Sequence, residues 1–192
     1  MNTPPFPNAI SRLTQDHIDM RMALSMLERE VDSIAQYHEP DAVLLDGAMQ
    51  YFANFPARCH HPVEEMIFRA LKARSPLAAV RAGCVAQHAR IVEYIGELTM
   101  MTRNLFLETP KWRVPFCGTA RNFITLKRDH IRDEEKNLFR LSAELLSADE
   151  WQEIDRSSND VHGRWSTEEM AYDVLGLKID RGVRATGSAR RR

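Results

Sequence analysis

Apolar side chains recur at alternating spacings of three and four residues along four long stretches of the chain. This spacing is typical of the buried face of an amphipathic helix. In the first stretch the apolar positions are Ile10, Leu13, Met20, Leu24, Leu27, Val31 and Ile34. The second stretch covers about 41–74, the third begins near residue 76, and the fourth covers about 116–146, where Leu138, Leu141 and Leu145 continue the apolar pattern. Glycine is scarce in all four and the connections between them are short, which predicts an all-α protein with an up-down-up-down four-helix bundle.

Polar residues interrupt each apolar pattern at positions that should face the bundle interior. They are His17 in the first stretch, His60 and Glu64 in the second, His88 in the third, and His130 and Glu134 in the fourth. A buried polar group without a partner costs about 1–3 kcal/mol, and a bare carboxylate costs more. Metal ions between these side chains would remove the penalty, so we predict that all six are metal ligands.

The residue types and their spacing favour a particular kind of metal site. His60 and Glu64 are four residues apart, as are His130 and Glu134, so each pair lies on one helix face and can hold one ion together. Two six-coordinate ions have roughly twelve ligand positions, of which two bridging carboxylates, four imidazoles and a bridging solvent oxygen would fill about ten. Mixed imidazole and carboxylate ligation with open positions favours two iron ions, ahead of manganese or zinc.

The four sequence segments that carry these residues are similar to those of a known family. They are TQDHIDM around His17, FPARCHHPVEEMIFRAL from His60 to Glu64, VAQHARI around His88, and HIRDEEKNLFRL from His130 to Glu134. Over about residues 8–146 the chain resembles the hemerythrin-like proteins of the HHE cation-binding family. The resemblance implies a four-helix bundle with a non-haem di-iron centre, and activities that include oxygen carriage or sensing, responses to redox and nitric-oxide stress, and iron handling.

The chain departs from the oxygen-carrying members of that family at one position. Those proteins have a second histidine one turn from the histidine of the third helix, whereas here Cys84 and Val92 flank His88. The site is therefore expected to be more open. We expect His61 and Glu65 to be surface groups; the alternative is that a distortion at Pro62 turns one of them inward as the missing ligand.

The same features restrict the possible functions but leave several of them open. We expect a protein that binds or senses dioxygen or nitric oxide, or buffers it in redox stress. The alternatives are a di-iron enzyme that reduces nitric oxide, peroxide or dioxygen, an iron-handling module, or an interaction bundle with structural histidines. Because the chain has no rubredoxin-like cysteine pair, an enzyme of this kind would need an external electron donor.

Composition restricts the possible partners and the expected cellular compartment. The formal net charge is -1, which argues against binding nucleic acid through overall charge. Three scattered cysteines do not form a disulfide framework. No apolar stretch is long enough to span a membrane, and the N-terminus has no signal-peptide pattern. We therefore expect a cytoplasmic protein.

The chain changes character after Leu146, so we predict a bundle domain over 1–146 and an extension over 147–192. Ser147 and Glu150 are spaced as a capping box, which predicts a short helix up to about Arg156. A second capping box is expected at Ser166, with a stop at Gly176. His162 lies past the bundle, and we expect it to have no partner. The last residues are rich in arginine and are expected to form a basic, mobile tail.

Overall fold

A computed structural model describes residues 7–72, 77–104 and 110–168, with side chains over 7–72, 78–103 and 111–162. Most of these residues are helical, and none of them belongs to a strand. The α-helices are α1 (Asn8–Ala35), α2 (Ala42–Phe55), α3 (His61–Ala70), α4 (Leu77–Asn104), α5 (Arg113–Asp133), α6 (Arg140–Leu145) and α7 (Ala148–Glu168). Two π-helices, π1 (Pro56–His60) and π2 (Glu134–Phe139), join α2 to α3 and α5 to α6, and a 3-10 turn (Pro110–Trp112) precedes α5.

Four helical rods surround one interior. They are α1, the continuous α2–π1–α3, α4, and the continuous α5–π2–α6. Helix α1 packs against α2 and α5, and α4 packs against the same two helices, so the rods follow one another around the bundle in chain order. The predicted all-α bundle is confirmed, whereas the strict alternation of helix direction stays a prediction.

The interior contains two apolar clusters with a polar layer between them. On α1, Leu13 belongs to one cluster and Met20 to the other. His17 lies between these two residues and is as fully buried as they are. The spacing along α1 therefore identified its buried face correctly, including the polar position.

Pro56 and Pro62 in the second stretch are expected to bend or break a helix because each lacks a backbone donor, and the observed distortion takes the form of a π-helix. Segment π1 begins at Pro56, and the backbone N–H of His61 donates to the carbonyl of Pro56, five residues earlier. Such a wide turn adds one residue to the helix and rotates everything that follows. π-Turns are often found at functional sites, and π1 ends on His60, one of the predicted ligands.

The second π-helix shifts the buried face of the fourth rod by one residue. The apolar spacing predicted Leu141 and Leu145 as interior positions after Leu138. Instead Ser142 and Leu146 are buried, and Leu145 is exposed. The prediction for Leu145 is wrong because π2 adds a residue that a regular spacing does not include.

The described part of the C-terminal extension packs on the bundle as one long helix. The capping box is present: the Ser147 backbone N–H donates to a carboxylate oxygen of Glu150, and the Glu150 backbone N–H donates to Ser147 Oγ. Helix α7 does not end at Arg156, and Ser166 lies inside it, so the predicted second capping box is wrong. Gly176 and the basic tail lie outside the described residues.

Helix α7 is attached to the start of α1 and to α3. Trp151, Ile154 and Val161 are buried in the apolar cluster that also contains Leu13. The Asp155 carboxylate accepts hydrogen bonds from the backbone N–H groups of Asn8 (3.3 Å) and Ala9 (2.7 Å). A residue of α7 thus supplies the N-terminal cap of α1, since Pro7 has no capping side chain.

The three cysteines are buried free thiols. None of the helices in the described ranges combines the length and the apolar character that crossing a bilayer needs.

Candidate metal centre

Side chains able to bind metal converge from all four rods in the layer between the two apolar clusters. One group consists of His17, His60, Glu64 and Glu134, and the other of His61, His88 and His130. Within each group the candidate ligand atoms lie within 4.8 Å of one another. The structure thus brings together all six residues predicted from the sequence, and adds His61.

Glu134 spans the two groups. Its Oε2 atom lies 3.2 Å from Nε2 of His17, and its Oε1 atom lies 2.9 Å from Nε2 of His130. The two imidazoles come from different groups. One carboxylate therefore presents an oxygen to each, which is the arrangement of a bridging ligand.

Glu64 repeats this arrangement from the second rod. Its Oε1 atom lies 3.0 Å from Nε2 of His60, and its Oε2 atom lies 3.7 Å from Nε2 of His88. Both carboxylates are almost fully buried, and their oxygens accept no well-aligned hydrogen bond from the described residues. Two buried carboxylates in this condition need a cation beside them.

The imidazole nitrogens face one another in pairs. Nε2 of His17 lies 3.1 Å from Nε2 of His60, and Nε2 of His88 lies 3.0 Å from Nε2 of His130. Two nitrogens bound at about 2.1 Å to one ion, at a right angle, are separated by about 3.0 Å. The observed separations fit pairs of ligands on a common ion.

Hydrogen bonds at the opposite ring nitrogens explain why the Nε2 atoms are available. Nδ1 of His17 lies 3.1 Å from a carboxylate oxygen of Glu135, and Nδ1 of His60 lies 3.2 Å from one of Asp16. A neutral imidazole that donates its Nδ1 proton to a carboxylate keeps a lone pair at Nε2. Two lone pairs facing each other at about 3 Å repel, and either a proton or a metal ion between them removes that repulsion.

The protonation equilibria of the site show the same need for positive charge. Burial alone would lower the pKa of His60, but the charge of Glu64 and the hydrogen bond to Asp16 raise it well above its ordinary value. Burial and the charge of Glu134 raise the pKa of Glu64. Burial likewise acts to raise the pKa of Glu134, but the four imidazole nitrogens within 4 Å of its oxygens, that of His130 first among them, hold it well below its ordinary value.

Outer partners fix the ligand rings in place. Arg21 donates two hydrogen bonds to Glu135, at 2.9 and 2.7 Å, and so holds the carboxylate that orients His17. The hydrogen bond to His17 is the main reason that the pKa of Glu135 falls to about 2. On the opposite side, Gln87 Oε1 lies 3.0 Å from Nδ1 of His130. Such partners set the tautomer and orientation of a metal-binding imidazole.

His61 lies inside the site, which corrects the expectation that it is a surface group. Its ring stacks on that of His88 with 3.9 Å between centroids, and its Nε2 atom is buried without a hydrogen-bond partner among the described residues. Burial and the positive charges of nearby groups lower its pKa strongly. Glu65, in contrast, forms ion pairs with Arg69 and Arg81 at the surface, as expected.

Lys127 was not among the predicted site residues although its position carried the same signal as His17. It occupies the buried face of α5 between Phe123 and His130. Its side chain is fully buried, and Nζ has no hydrogen-bond partner among the described residues. Burial lowers the pKa of Lys127, an effect that the charges of Glu134 and Glu64 partly offset.

His162 also has a partner that the sequence did not reveal. Its Nδ1 donates to the Ser158 carbonyl (2.9 Å), and its Nε2 lies 3.6 Å from the Asp16 carboxylate that orients His60. The predicted isolation of His162 is therefore wrong. Helix α7 reaches the layer around the metal ligands through this side chain.

The fold and the site define a helical-bundle protein whose buried histidines and glutamates can hold metal cations. A family model, the hemerythrin HHE cation-binding domain, matches residues 8–142. The chain belongs to this family, and the match covers all seven side chains of the two groups. No curated protein sequence matches the chain significantly.

Proposed function

We propose that the protein holds two iron ions and uses them to bind or sense dioxygen or nitric oxide, or to buffer these molecules in redox stress. The ligands are His17, His60, Glu64, His88, His130 and Glu134, joined by His61. The observation that carries the proposal concerns Glu64 and Glu134. In each carboxylate, one oxygen faces the imidazoles of one group and the second oxygen faces those of the other group. That arrangement suits two ions and not one.

Iron is favoured over other metals by the donor set. The site offers five imidazoles and two carboxylates and no thiolate, and nitrogen and oxygen donors with vacant positions suit iron in proteins that meet dioxygen. Burial, together with the negative charges of Glu134 and Glu64, raises the pKa of the Cys84 thiol to about 12. A thiol held neutral in this way is a poor ligand.

The protein groups do not saturate two six-coordinate ions. Five imidazoles and two bridging carboxylates fill about nine of roughly twelve positions. The remainder is available to solvent and to one small ligand. When bound, the iron pair would supply electrons to such a ligand, while the chain supplies a dry interior and fixed ring orientations.

Reaction of the reduced, iron-loaded protein with dioxygen tests the proposed function. We expect stopped-flow absorption to show a spectrum that persists and reverses when dioxygen is removed. Rapid and irreversible oxidation, with turnover when an external reductant is added, would instead support a di-iron enzyme that reduces dioxygen, peroxide or nitric oxide. Loss of iron on reduction would support iron handling.

A further inference from the structure

One titratable side chain in the interior, Lys127, has no role in the ligand set described above. Lys127 is fully buried, and its Nζ atom neither donates a hydrogen bond nor forms an ion pair with any described side chain. An unpaired buried ammonium group is among the most unfavourable features a bundle core can contain. A leucine or methionine would fill the same space without that cost, so the amine needs an explanation.

Lys127 belongs to the same layer as the metal ligands. It precedes His130 by one helical turn on the buried face of α5. Its charge acts on both His61 and His130, and the carboxylates of Glu64 and Glu134 act on it in turn. The amine therefore lies beside the group formed by His61, His88 and His130.

Balancing the carboxylates does not account for this lysine once metal is bound. Two divalent ions carry more positive charge than Glu64 and Glu134 neutralise, and the outer carboxylates Asp16 and Glu135 contact His60 and His17 in the other group. Beside His61, His88 and His130 the loaded site therefore keeps an excess of positive charge, to which Lys127 adds. An anion bound near the ions removes that excess. The three N–H donors of an ammonium group could hold such an anion by a charge-assisted hydrogen bond.

We propose that Lys127 is the residue that binds a small anionic ligand beside the metal pair, and so adds affinity for monoanions to a site that also admits dioxygen or nitric oxide. This proposal rests on the proposed metal site. The ligand class consists of small monoanions that fit a vacant metal position, such as superoxide, hydroperoxide and azide. Lys127 acts here as a specificity residue and not as a metal ligand.

Azide binding to the iron-loaded protein tests this role with a readout other than activity. The K127M variant keeps the length and shape of the side chain but removes its donors. We expect iron content to be unchanged and the Kd for azide, followed by its absorption band, to rise about 10- to 100-fold, as for loss of a buried charged hydrogen bond. Binding of nitric oxide, which is neutral, should change less than about 3-fold.

Matched variants separate this role from a general charge effect. Lys136 lies on the same rod but is exposed, so K136M removes one positive charge outside the site and should leave the azide Kd unchanged. K127Q keeps a neutral donor and should lose less affinity than K127M. If K127M cannot be loaded with iron, the K127Q value decides the question by the same criterion.

Three results would overturn the proposal. Equal azide affinity in the wild type and in a fully loaded K127M or K127Q protein would exclude a contact with the anion. A higher iron affinity in K127M, with azide binding unchanged, would show that Lys127 only neutralises the charge of Glu64 and Glu134 in the metal-free protein. A wild-type protein that binds no iron would refute the proposed function, and this inference with it.

Discussion

Nδ1 of His60 lies 3.2 Å from Oδ2 of Asp16, and both side chains are buried. Asp16 immediately precedes His17 on α1, so one turn of that helix supplies both a candidate ligand and the carboxylate that orients another. The contact directs the Nε2 atom of His60 toward Glu64 and Glu134. A carboxylate behind an imidazole also makes the imidazole a stronger donor to metal.

Removing the charge of Asp16 should therefore weaken metal binding without removing a ligand. We expect D16N to lower metal affinity about 10- to 100-fold, because outer partners of metal-binding histidines have effects of this size. Competition with a coloured chelator measures the change. D46N alters an exposed aspartate on α2 that accepts a hydrogen bond from Gln50, and it should bind metal as the wild type does. Equal affinities for D16N and D46N would refute the role of Asp16.

The contact between His162 and Asp16 predicts a pH dependence of stability. Burial acts to lower the pKa of His162, but Asp16, Cys59 and the Ser158 carbonyl outweigh it and raise the pKa to about 9. A raised pKa means that the folded state favours the protonated ring. The stabilisation is complete below the unfolded pKa of about 6.5 and is lost as the pH rises toward 9.

The H162N variant isolates this contribution. The difference in free energy of unfolding between the wild type and H162N should be on the order of 1–2 kcal/mol at pH 6, allowing for solvent screening, and should decline toward pH 9. Denaturant titrations at several pH values measure it. A difference that stays constant with pH would show that His162 is not charged in the fold.

Asp155 is predicted to stabilise α1 although it belongs to α7. The D155A variant should lose about 1 kcal/mol of unfolding free energy, because it leaves the N–H groups of Asn8 and Ala9 without their acceptor. D155N keeps an acceptor oxygen and should lose less. E153Q changes an exposed residue of the same helix and serves as the control. If D155A proves as stable as E153Q, α7 does not cap α1.

The register shift at π2 can be tested with two neighbouring leucines. Leu146 is buried and Leu145 is exposed, although a regular helix would reverse them. We expect L146A to lower the free energy of unfolding by about 2 kcal/mol or more, and L145A by less than about 1 kcal/mol. Thermal or chemical denaturation measures both. A larger loss in L145A would mean that the fourth rod continues without the π-turn.

The sequence predicted the site well where helices are regular. Because α1 keeps an unbroken α-helical period, the spacing alone placed His17 on the buried face. The same reasoning would have identified Lys127, which fills the position between Phe123 and His130, had a lysine been considered a possible interior residue. Polar residues on a buried face are informative whatever their type.

The spacing of apolar residues could not predict the π-helices or the contacts of α7. A spacing rule assumes a constant period, so it could not place His61 inside the site or Leu145 outside the core. The two π-turns that cause these shifts depend on tertiary packing as well as on local sequence. The contacts of His162 and Asp155 join residues more than a hundred positions apart, and no local pattern reveals them.

The number of metal ions per chain tests the central claim most directly. Elemental analysis of protein produced with added iron should give about two ions per chain for the wild type, and one or none for H60A and for E134Q. E144Q, which changes an exposed glutamate on α6, should keep both ions. A wild-type protein without metal, or full iron content in both H60A and E134Q, would contradict a metal pair held by these side chains.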